Sequence, residues 1–267
     1  AYRPTSQMWP VIPPHGYNAG GCQIYHAITG RGGLPMWIIY TDSKGHDYPL
    51  EIGYKLINSS AICHDYERIT GYCRDGCPDY GSGGCPPYAP SVEGVAQQYP
   101  YGIMIYAKFL SRFKPAELAP DDFSLQDVVL SDLLNQLGYA VLARYPEGVF
   151  FLTCGHCQGC GTETCSFKLG EEECRKPERR AYSIAATGVD VTQTLQDIFN
   201  ITLQWIKGEQ QTEYIIKVMG LLCADPQWPP GLEAELESLL NSLECVKYRV
   251  DSPEARAVLD KRWAETL

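Results

Sequence analysis

Three cysteines separated by two residues each, Cys154, Cys157 and Cys160, constrain this chain more than any other feature. Thiols that close together along a chain pair poorly with one another, whereas thiolates converging on a metal favour such spacing. In a C-x2-C-x2-C run each sulfur can reach a different iron of one cubane while the backbone curls around it. Gly155, Gly159 and Gly161 let that backbone approach closely and turn its amides toward cluster sulfurs, and those hydrogen bonds help set the potential. Cys174 and Cys165 both qualify as the fourth ligand; Cys174, followed closely by Pro177, is preferred. Zinc is the rival. Its tetrahedral sites use two ligand pairs, and three cysteines in one run overfill a pair, so spacing and ligand softness favour a [4Fe-4S] cluster. His156 reads as a solvent-facing or hydrogen-bonding residue rather than a ligand.

A second group, Cys73, Cys77 and Cys85, lies in a stretch dominated by Gly, Pro and Asp and closed by Pro86-Pro87. That composition predicts an irregular loop wrapped around a metal. Cys63 is the nearest fourth ligand, with Cys22 and Cys165 as others. If none completes the site, one iron stays open to act as a Lewis acid. Cys223 and Cys245 sit in apolar sequence and read as packing residues.

The chain has 12 cysteines in 267 residues. A protein this long buries its own core without many disulfides, so the count points to metal thiolates and a reducing, cytoplasmic compartment. A formal net charge of −10 argues against a nucleic-acid partner. No apolar run reaches the ~18 residues of a membrane span.

Residues 1–35 are rich in Pro and Gly and read as an irregular, extended segment. Apolar runs predict strands at 36–40, 101–107, 149–152 and 214–219. Helical periodicity covers 122–143, with Phe123, Val128, Leu130, Leu133, Leu134, Leu137 and Val141 inward. It also covers 190–207, with Leu195, Ile198, Phe199 and Trp205 inward and a stop at Gly208. Two helices close the chain, one after Pro229-Pro230 and one capped by Ser252 with Pro253 in its first turn. The pattern predicts an α/β or α+β fold: a small mixed sheet, flanking helices and two irregular cysteine loops. The expected division is an N-terminal segment with the first strand (1–62), a cysteine-rich domain (63–222) and a helical C-terminus (223–267).

Three pieces of this pattern resemble a family of predicted metal-binding proteins, domain of unknown function 2284. They are Cys73-x3-Cys77-x2-Tyr80-Gly81-x3-Cys85-Pro86-Pro87, then Cys154-x2-Cys157-x2-Cys160, then Cys174-Arg175-x-Pro177 followed by Arg180, Ser183 and Gly188-Val189-Asp190-Val191. The resemblance spans roughly residues 63–222 and implies thiolate-bound metal, of iron–sulfur type, in an anaerobic cytoplasm. It supplies no reaction. Cys165 and the segment through Cys63 depart from the family pattern.

Arg175, Lys176, Arg179 and Arg180 form a basic stretch that reads as the solvated start of a helix or, functionally, as positive charge that raises a neighbouring cluster's potential or docks an anionic partner or substrate; Ser183 follows one turn further along. The expected function is electron transfer by one or two [4Fe-4S] clusters within a larger redox system. The alternatives are an enzyme with a site-differentiated cluster and a zinc-bound structural or assembly protein.

Overall fold

The computed structural model describes residues 35–119, 122–205 and 212–264. The Pro- and Gly-rich segment with Cys22, and the expected helix stop at Gly208, lie outside the described residues.

The apolar runs become strands β1 (Met36–Thr41), β3 (Tyr101–Leu110), β4 (Val149–Thr153) and β6 (Tyr214–Cys223). Two further strands, β2 (Asp47–Asn58) and the two-residue β5 (Tyr182–Ser183), complete a mixed six-stranded sheet in the order β1-β2-β3-β6-β4-β5. The β4–β5 pair is parallel and the others are antiparallel. With six α-helices in the described residues the architecture is α+β.

Both faces of the sheet are covered, which explains why its central strands are apolar at nearly every position. On β3, Ile103, Ile105, Ala107 and Phe109 face one core while Met104 and Tyr106 face the other. The larger core packs against α3 (Ser124–Arg144) and α5 (Trp228–Asn241), through Leu133, Leu134, Leu137, Leu236 and Leu240 among others. The smaller core packs against α2 (Val92–Gln98) and α4 (Val191–Phe199), through Val95, Leu195 and Ile198. Helix α6 (Pro253–Ala264) starts as expected, with Ser252 Oγ accepting from the Ala255 amide at 3.1 Å. Its Trp263 sets an edge against Trp37 and Phe113. Among the described residues no helix is long and apolar enough to cross a membrane.

Three local expectations are corrected. Helix α4 ends at Asn200, not Gly208: Asn200 turns left-handed at φ +57°, and the Ile201 amide reaches back to the Leu195 carbonyl. That double reversal stops a helix without glycine. Trp205, past that stop, is 52 % exposed. At α3, Phe123 and Val128 are exposed, and Val129 takes the core position next to Val128.

The segment Gly188-Val189-Asp190-Val191 is a clamp. Gly188 is left-handed at φ +84°, and a Cβ there would meet the Tyr66 Cα at 2.6 Å, so α1 (Tyr66–Arg74) can lie against it only if it is glycine. Val189 bridges His64, and the Asp190 amide donates to the Cys63 carbonyl at 2.9 Å. The Asp190 carboxylate caps α4 through the Gln193 amide and accepts from Arg68 Nη2 of α1 at 2.6 Å. Helix α1 carries Cys73, so the clamp sets where the first cysteine group begins. Asp190→Ala is expected to cost about 2 kcal/mol, losing cap and ion pair together. Asp190→Asn, which keeps the cap acceptor, is expected to cost about half as much, and urea unfolding compares them. An Asn variant as unstable as the Ala variant would show that the cap contributes nothing.

Candidate metal centre

The register of one strand pair positions the cysteines. Leu152 and Thr153 of β4 pair with Tyr182 and Ser183 of β5 in parallel, so the chain between them leaves and returns at the same edge of the sheet. Such a crossover is usually filled by a helix. Residues 154–181 hold only two 3-10 turns, Phe167–Leu169 and Pro177–Arg179, leaving an irregular loop with five cysteines. The expected helix after Cys174 is therefore a 3-10 turn leading into β5, and Ser183 lies on that strand. In the first group Cys73 is helical, near the end of α1, while Cys77 and Cys85 follow in successive turns.

The two loops close on each other at Gly83-Gly84. The Gly84 carbonyl accepts from the Ser183 amide at 2.9 Å, and the Gly83 amide donates to Cys165 Sγ at 3.3 Å. A Cβ on Gly84 would lie 2.3 Å from the Ala181 carbonyl oxygen and 2.7 Å from Cys157 Cβ. Arg180 stitches the contact, donating from Nε and Nη2 to the Gly83 carbonyl and from Nη2 to that of Tyr88. Its guanidinium sits 4.9 Å from the ring centres of both Phe167 and Tyr182.

Beside this contact a cavity of about 240 Å³ is lined by Cys157, Cys160, Cys165 and Cys174, with Asp79 and His156 also on its wall. His156 is half-exposed, with Nδ1 3.5 Å from the Asp79 carboxylate. Burial raises the Cys160 thiol, and the charges of Cys165, Cys174 and Cys157 add to it. Burial also pushes Cys85 up to about 12, helped by Asp79, Cys77, Cys73 and Cys157. Cys73 is raised by burial and by Cys77. Cys157 therefore bears on both groups. Thiols held up in this way must release protons to bind a metal.

Cys154 stands apart from the cavity. It lies against Ser131 and Lys217, and burial pushes its thiol up to about 11. Lys217 Nζ is itself held 2.7 Å from Ser131 Oγ and 2.7 Å from Asp127 Oδ1. Cys63 is placed by the clamp at the start of α4, its carbonyl accepting from Asp190 and Thr194. Cys223 and Cys245 are buried packing residues.

The donor set suits a thiolate-bound metal. Cys157 Sγ accepts from the Ala181 amide at 3.4 Å and from the Tyr139 hydroxyl at 3.8 Å, and Cys165 Sγ accepts from Gly83. Donors of this kind stabilise thiolate ligands. The fully buried Ser166 hydroxyl, next to Cys165, has no partner among the described residues. No three Cys, His, Asp or Glu side chains among the described residues converge as the shell of a single ion does; the thiols surround a space instead.

Tyr139 escaped the sequence reading. It lies on α3 with no local signal of a role, and only the fold brings it to the loop. The Gly83-Gly84 dipeptide was a visible signal of close backbone approach.

The family described as Predicted metal-binding protein (DUF2284) matches residues 55–222, and the chain belongs to it. No curated protein and no solved structure matches the chain.

A methyl at Gly84 has nowhere to go, whereas a Cβ on Gly155, in the second cysteine loop, meets nothing within 4 Å. Gly84→Ala is expected to cost about 1–3 kcal/mol by overpacking and to lower the metal retained per chain. Gly155→Ala should leave both unchanged. Metal analysis and thermal melts of the two variants check this, and equal behaviour would show that the loops do not meet at Gly84.

Proposed function

We propose that this protein holds iron–sulfur clusters of the [4Fe-4S] type in its two cysteine groups and passes electrons to a redox partner. The groups are Cys73, Cys77 and Cys85 in the first loop, and the cysteines of the second loop that line the cavity. One observation carries the reading: the loops interlock at Gly83-Gly84, so that Cys157 bears on both Cys85 and Cys160. Metal groups held on either side of that contact are neighbours, as electron transfer requires.

Further support comes from how the sulfurs are treated. A cluster supplies one-electron storage, tuned by hydrogen bonds to its sulfurs and by its exposure. Here two amides and a tyrosine hydroxyl donate to cysteine sulfurs. The thiols ring a space of about 240 Å³, which suits ligands meeting different irons better than four bonds of roughly 2.3 Å to one zinc. Arg180 and Lys168 place positive charge on the cavity wall, offsetting the thiolates.

Purified without oxygen, the protein should be brown and carry iron and acid-labile sulfide in roughly equal amounts. Stoichiometric zinc without sulfide would replace this reading by the zinc-bound structural one.

Tyr139 provides a finer test. Its oxygen accepts from the Gln158 amide at 2.7 Å, which leaves its proton directed at Cys157 Sγ. Donation to a thiolate stabilises the reduced, more negative cluster, so Tyr139→Phe should lower the midpoint potential at unchanged iron content. The expected drop is tens of millivolts, about 59 mV corresponding to a tenfold change for a one-electron couple. An unchanged potential would show that the hydroxyl does not act on the cluster.

A further inference from the structure

The C-x2-C-x2-C run invites the assignment of all three of its cysteines to one metal. The fold separates them. Strand β4 ends at Thr153, whose hydroxyl donates to Asn135 of α3. Cys154 follows directly and, like Cys157, packs on the same α3-facing core. There it meets Ser131 and Lys217, groups belonging to α3 and β6 rather than to the cysteine loops. Only after Cys154 does the chain turn away toward Gly83-Gly84 and the cavity. Cys157 and Cys160 line that cavity, and the two sulfurs that join them are Cys165 and Cys174.

We propose that Cys165, and not Cys154, completes the second thiolate site, whose ligands are then Cys157, Cys160, Cys165 and Cys174. The assignment rests on the reading of the cavity as a metal centre. Three observations support it independently of the run's spacing. Cys165 Sγ receives the Gly83 amide across the loop contact, the same kind of donor that Cys157 Sγ receives from Ala181. A Cβ on Gly83 would stand 2.6 Å from the Phe167 ring and in ordinary contact, 3.7 Å, with that sulfur, so any side chain there would have to displace Phe167 beside Cys165. Ser166 keeps a fully buried hydroxyl unpartnered among the described residues beside Cys165. Such a group needs an acceptor, and a metal-bound sulfur supplies one.

On this assignment the run is one structural thiol followed by two ligands. Cys154 fixes the start of the loop against Ser131 and Lys217. Cys165, which departs from the family pattern, becomes essential.

The test compares Cys165→Ala with Cys154→Ala after anaerobic purification. Iron and sulfide are measured per chain, and cobalt(II) is titrated into the metal-free protein, because the intensity of thiolate-to-cobalt absorption counts bound thiolates whatever the native metal is. Cys154→Ala should match wild type in both readouts. Cys165→Ala should lose the second site's iron and show weaker cobalt–thiolate absorption than wild type. Loss in Cys154→Ala, or none in Cys165→Ala, overturns the assignment.

Should Cys154→Ala fail to fold, alkylation of the wild-type protein with iodoacetamide, mapped by mass spectrometry, answers the same question. Metal loading should protect Cys165 and leave Cys154 labelling unchanged; protection of Cys154 overturns the proposal. A wild-type protein that takes up neither iron nor cobalt removes the metal-centre reading itself, a result distinct from either variant outcome.

Discussion

The two-residue pairing of β5 alongside β4 holds both ends of the long cysteine loop at one edge of the sheet. Without that pairing, residues 154–181 would be tethered at one end only, and five thiols would be scattered by chain entropy. With it, Thr153 and Ser183 lie side by side, and the Ser183 amide is handed on to the Gly84 carbonyl of the other loop. The sheet edge thus continues, through one more hydrogen bond, into the first cysteine loop. Cysteines carried on irregular backbone acquire the rigidity of a strand.

What the chain disclosed in advance follows the physics of burial. The strands at Met36–Thr41, Tyr101–Leu110, Val149–Thr153 and Tyr214–Cys223 announce themselves because both sheet faces are covered and nearly every side chain is apolar. Strand β2 was hidden: Asp47, Glu51, Gly53 and Lys55 interrupt it, yet it pairs with β1 and β3 along its length. Its Glu51 is answered by Lys108 at 2.7 Å and by the Tyr106 hydroxyl at 2.8 Å. No local pattern contains partners more than fifty residues away. Helix α1 was missed for a related reason, since Cys73 near its end looked like the opening of a loop. The types of the metal-binding candidates were legible from spacing alone. Which of Cys154 and Cys165 lines the cavity was not, because that depends on where the strand stops and the chain turns.

The basic stretch at Arg175, Lys176, Arg179 and Arg180 illustrates how charge on a sequence changes meaning in a fold. Arg175 bridges Glu163 and Glu171, and Lys176 bridges Glu163, so these two tie the loop to itself. Arg179 lies 5.7 Å from the centre of the Tyr139 ring, beside the hydroxyl that donates to Cys157. Arg180 spends its donors on carbonyls of the opposite loop. Of that stretch, Arg180 lies in the seam between the two cysteine groups, while Arg175 and Lys176 brace the second loop on its own surface.

That seam also answers an electrostatic problem. Several thiolates brought together in a protein of net charge −10 repel one another and are pushed toward their protonated forms. Among the described residues neither Arg180 nor Lys168 is paired with a carboxylate; Arg180 donates to the carbonyls of Gly83 and Tyr88, and Lys168 to that of Pro78. Carbonyls position a cation without cancelling its charge. Both side chains line the cavity together with Cys157, Cys160, Cys165 and Cys174. A carboxylate in place of any of those carbonyls would hold the same geometry and cancel that charge.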